Sequence, residues 1–88
     1  MSAKDKLKSK LRSKPTPKDV KWSELRNLLV SLGFEEKQCS GSRVRFYKPE
    51  TDGAPRRIIR LHRPHPEPIC GPKLVQSVAN SLIEWDLI

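Results

Sequence analysis

Ser42-Arg43-Val44-Arg45-Phe46-Tyr47-Lys48 alternates apolar and polar side chains with period two, the pattern of a strand with one buried face. Val44 and Phe46 would meet a core, leaving Arg43, Arg45 and Tyr47 on the other side. Upstream, Phe34 to Gln38 reads as a short strand and Ser40-Gly41 as a two-residue turn, so the two segments form an antiparallel hairpin. Downstream, Pro49 to Pro55, with Asp52-Gly53 inside it, is a loop, and Arg57 to His62 is a third strand with Ile59 and Leu61 on one face. If Val44, Phe46, Ile59 and Leu61 share the buried face, Arg43, Arg45, Tyr47, Arg60 and His62 share the other. That open face is basic and carries one aromatic ring and one imidazole.

Helices flank the strands. Trp22-Ser23-Glu24 supplies an apolar residue, an N-cap oxygen and an early acid, after which Leu25, Leu28, Leu29 and Leu32 recur at helical spacing. Gly33 follows the last apolar position, where a left-handed residue ends a helix. Gly71-Pro72 opens a second helix through Leu74, Val75, Val78, Ala79 and Leu82, and Trp85, Leu87 and Ile88 remain to close the core. The order helix, three strands, helix predicts an α+β fold: a small two-layer sandwich with a three-stranded antiparallel sheet and both helices on one face.

Eighty-eight residues with 35% hydrophobic content allow one small domain with a modest core. The net charge of +8 is uneven: residues 1–18 hold seven Lys/Arg against Asp5 alone, and residues 19–88 hold eleven against nine acids. Residues 1–18 are read as a basic, solvated tail or marginal helix, with Leu7 and Leu11 at helical spacing, a Ser2 cap, and Pro15 and Pro17 as stops. Residues 19–88 are the functional domain. Within it Arg43, Arg45, Lys48, Arg56, Arg57, Arg60 and Arg63 surround the histidines, a field suited to a polyanion. No apolar run approaches the about 18 residues that span a bilayer. With no apolar leader and two isolated cysteines, Cys39 and Cys70, the expectation is a cytoplasmic protein with reduced thiols.

Both histidines lie in Leu61-His62-Arg63-Pro64-His65-Pro66-Glu67-Pro68. Imidazole is the side chain that titrates unperturbed near neutrality, and His65, between two prolines, sits on a stiff segment that cannot be helical. The bland alternative is an exposed proline-rich connector. RNA phosphodiester cleavage needs a base for the 2′-hydroxyl, a cation for the charge developing on phosphorus, and an acid for the leaving oxygen. Histidine and arginine can fill all three roles without a metal or cofactor. His65 is the preferred base, His62 the second acid/base group, and Arg43, Arg45, Arg60 and Arg63 the phosphate clamps, with Tyr47 on the same RNA-binding face. A zinc set of His62, His65, Cys70 and Cys39 is disfavoured, because Pro64 interrupts the histidine pair and the cysteines are single and remote.

Lys21-Trp22-Ser23-Glu24-Leu25, then Leu28-Leu29, Leu32-Gly33, Gly41-Ser42-Arg43-Val44-Arg45-Phe46 and His62-Arg63-Pro64-His65-Pro66 together resemble the HicA family of toxins from bacterial toxin–antitoxin pairs. The resemblance implies a fold similar to a double-stranded-RNA-binding domain, metal-independent cleavage of messenger RNA, and neutralisation by a HicB-type antitoxin. Many members of the family place a catalytic histidine directly after the Gly-Ser pair, where this chain has Arg43. Arginine stays protonated and cannot act as a base, so the role passes to His62 or His65. The rival expectation is a non-catalytic RNA-binding module that uses the same face for phosphate contacts.

Overall fold

The computed structural model describes residues 3–13, 16–51, 53–64 and 67–88. The chain runs α1 (Ala3–Arg12), β1 (Val20–Lys21), α2 (Trp22–Ser31), β2 (Glu35–Gln38), β3 (Arg43–Lys48), β4 (Arg57–His62), β5 (Ile69–Cys70) and α3 (Pro72–Glu84). The antiparallel sheet β2-β3-β4, with α2 and α3 packed on one face, is the expected α+β sandwich. Ser2, Pro15, Asp52, His65 and Pro66, to which the sequence reading assigned roles, lie outside the described residues.

The leucine stripe of α2 drives its packing: Leu25, Leu28 and Leu29 are buried. Val75, Val78, Ala79 and Leu82 do the same for α3. These side chains close on Val44, Phe46, Ile59 and Leu61 in one cluster, and the Trp22 and Phe46 rings meet at 6.1 Å. Trp85 stacks on Phe34 at 6.4 Å, while Leu87 and Ile88 pack against the same cluster.

Ser23 was expected to cap α2, but the helix begins one residue before it, with Lys21 at the N-cap. The reason is tertiary. β1 pairs with β5 in a second, two-stranded sheet, and the Trp22 N–H, an orphan donor of the first turn, bonds to the Pro68 carbonyl at 2.8 Å. Glu24 adds a bond from its carboxylate to the Lys21 N–H at 3.4 Å. At the other end Gly33 adopts φ 101°, and Lys48 Nζ donates to the Leu32 carbonyl at 2.9 Å. A Cβ at Gly33 would stand 2.7 Å from that ammonium.

The β2–β3 connection is longer than the expected two-residue turn. Cys39 N–H donates to the Arg43 carbonyl at 2.9 Å, leaving Ser40, Gly41 and Ser42 between the paired residues, with Gly41 at φ 66°. The added residue sets the register at Gln38 opposite Val44 and Lys37 opposite Arg45. A slip of one would turn Lys37 to the core, since side-chain direction alternates along a strand.

The N-terminal segment also departs from the solvated reading. α1 packs on α2 and α3, and Leu7 and Leu11 are only 5% and 4% exposed. Asp5 in its first turn and Lys10 and Arg12 in its last complement the helix dipole. Lys10 Nζ reaches Asp19 at 3.1 Å, and this hydrogen bond and charge hold the Asp19 carboxyl below its usual range. Leu11→Ala should therefore destabilise the protein by about 2–3 kcal/mol in urea unfolding. An unchanged midpoint would return Leu11 to the solvent.

Candidate nucleic-acid interface

The register places three rows of side chains across the open face of the sheet. Arg43 stands opposite His62; Lys37, Arg45 and Arg60 form the middle row; Glu35, Tyr47 and Ile58 form the third. Five of the expected site residues, Arg43, Arg45, Tyr47, Arg60 and His62, thus share one face. Arg63 N–H donates to the Ser42 carbonyl at 2.8 Å, so the neighbouring Arg43–His62 pair is a non-hydrogen-bonded one, where opposed side chains stand closest.

His62 is exposed, and its Nδ1 lies 3.5 Å from Ser42 Oγ, a long contact. A hydroxyl donating to Nδ1 leaves the proton of a neutral ring on Nε2, and the reverse bond leaves Nε2 as acceptor. Cys39, Arg43, Arg45, Arg60 and His62 border a cavity of about 350 Å³. A second groove, of about 520 Å³, lies over Glu35, Lys37, Tyr47 and Ile58 and is also lined by Arg45, so the two adjoin along the sheet.

Two arginines of the expected basic field are turned elsewhere. Arg63 donates through Nη2 to Gln38 Oε1 at 2.6 Å, and Arg57 lies over the Trp85 ring at 5.1 Å. Both are at odd positions of the β4 segment, whose alternation directs Ile59 and Leu61 to the core. Lys37, Glu35 and Ile58 are members of the face that the sequence reading missed. Continuing the alternation of β4 back to Ile58 would have found one of them; Lys37 and Glu35 depended on the length of the turn.

Lys37, Arg45 and Arg60 form no ion pair with any described residue. Like charges directly opposite one another destabilise a sheet, so a row of three cations is unfavourable to the fold and favourable to an anionic ligand. The cysteines are separate: Cys39 is exposed, whereas Cys70 is buried, and burial, with the Glu24 charge added, pushes its thiol up to about 11. Among the described residues no group of three or more His, Cys, Asp or Glu is placed to hold a metal, and no helix is long and apolar enough to cross a membrane.

No curated protein and no solved structure matches the chain. The family model described as the HicA toxin of bacterial toxin–antitoxin matches residues 22–82, from the first turn of α2 to the last buried leucine of α3, and the chain belongs to that family.

Proposed function

We propose that the protein is a metal-independent endoribonuclease that cleaves messenger RNA in the cytoplasm. Arg43, Arg45 and Arg60 hold the phosphates, Arg63 stands at the margin, and His62 and His65 supply the acid/base pair. One histidine takes the 2′-hydroxyl proton as the 2′-oxygen attacks phosphorus. The other protonates the departing 5′-oxygen, leaving a 2′,3′-cyclic phosphate. The arginines stabilise the charge on the phosphorane in between. The observation that carries this reading is the Arg43–His62 pair. Many members of the family carry a histidine at the position of Arg43, and here His62 stands directly across the strands from it.

A HicB-type antitoxin neutralises the toxin by covering this face. Family membership supports such a partner, and a basic face left uncovered would attract cellular RNA. Arg43 itself favours a second reading, an RNA-binding module without cleavage, because guanidinium cannot accept the proton. The two readings separate on incubating the purified chain with end-labelled RNA in EDTA. Cleavage to cyclic-phosphate ends is the expected result; binding with intact RNA would leave the module.

A further inference from the structure

The third row of the open face has no role in the cleavage chemistry, yet it has the features of a recognition site. Tyr47 and Ile58 are half-buried and form an apolar floor in the 520 Å³ groove. Tyr47 is absent from the ring pairs recorded among the described residues, Trp22–Phe46 and Phe34–Trp85. Glu35 stands opposite Tyr47, exposed and without an ion pair to a described residue, whereas the adjacent Glu36 is bonded to Arg26 at 2.7 Å. Arg45 lines both this groove and the cavity beside His62.

We propose that this groove receives one unpaired nucleobase of the RNA strand, with guanine favoured, while the adjoining phosphate lies on Arg45. This rests on the reading of the open face as an RNA site and adds its substrate class, single-stranded RNA. A base inside a duplex has its faces stacked and its edge paired, so it cannot lie on a tyrosine in a sheet surface; an unpaired base can. Glu35 selects among the bases because an ionised carboxylate only accepts, through two oxygens side by side. Guanine offers N1–H and N2–H₂ as adjacent donors that match them. Uracil offers N3–H between two carbonyl oxygens, which the carboxylate repels. Lys37 and Arg56 at the groove edge supply cations for the neighbouring backbone.

The test is fluorescence anisotropy with uncleavable 2′-O-methyl oligonucleotides: a uridine hexamer, the same hexamer with one guanine, and a hairpin duplex whose G·C-rich stem pairs its guanines. The guanine-containing single strand should bind about tenfold more tightly than the uridine hexamer and more tightly than the duplex. Tyr47→Ala should weaken it about tenfold, Tyr47→Phe should restore most of that loss, and Glu35→Gln should erase most of the guanine preference. Salt-dependent binding that needs Arg45 but is indifferent to Tyr47 and to base identity would overturn the base site alone. No binding of any oligonucleotide, or binding unaffected by Arg45→Ala, would overturn the RNA face and the base site with it.

Discussion

His62→Ala and His65→Ala should each slow RNA cleavage by about 100- to 10,000-fold, the usual contribution of a positioned acid or base. The displacement takes a proton at one oxygen and gives one at another, so loss of either imidazole leaves half of the proton transfer to water. The double variant should be little slower than the poorer single one, because groups that act in one step are not additive. The fold should survive His62→Ala: the residue is exposed at the end of β4, and the core closes without it. RNA affinity should survive too, since the guanidinium groups of Arg43, Arg45 and Arg60 remain. The loss therefore falls on kcat, with the Kd for uncleavable RNA unchanged. Cleavage at the parent rate by His62→Ala would remove it from the chemistry, and the same result for His65→Ala would remove that residue.

Arg45→Thr should move stability and binding in opposite directions. Arg45 stands between Lys37 and Arg60 and forms no ion pair with a described residue. Threonine there removes two like-charge oppositions and supplies a β-branched residue suited to a strand. A gain of about 0.2–1 kcal/mol follows from the size of cross-strand terms, read as a higher urea midpoint. RNA binding should weaken, and the slope of log K against log salt should become shallower by about 0.7, the value for one phosphate contact on a single strand. With Arg43, Arg45, Arg60 and Lys37 all engaged, the parent should lose about 50-fold in affinity between about 50 and 200 mM salt. A variant less stable than the parent with an unchanged salt slope would show that the cationic row does not bind phosphate.

Arg45 illustrates how far the residues could be read in advance. Alternation of Arg43, Arg45 and Tyr47 with Val44 and Phe46 assigned them to the open face, because a half-buried strand writes its two faces in period two. Gly33 was legible for a similarly local reason: a residue at φ 101° just past an apolar stripe is most easily glycine. Val20–Lys21 and Ile69–Cys70 were not legible as strands, since two residues carry no period, and their pairing joins the segments that lead into α2 and α3 from distant parts of the chain. Leu7 and Leu11 gave the same signal that a marginal surface helix would give. Their burial depended on α2 and α3 leaving a surface to receive them.

Local periodicity and backbone chemistry thus determined α2 and α3, the strands β2, β3 and β4, and the basic character of one sheet face, all of them properties of neighbours in the chain. The composition of the face came from longer range. One residue more in the turn at Gly41 put Lys37 beside Arg45 rather than in the core. The antiparallel register put His62 across from Arg43, nineteen positions earlier in the chain. Gln38 and Trp85 engaged Arg63 and Arg57, two guanidinium groups that a charge count had assigned to the ligand. Register and side-chain partnership depend on which segments meet, and a one-residue shift or a single hydrogen bond across the sheet changes them without altering the pattern of any segment.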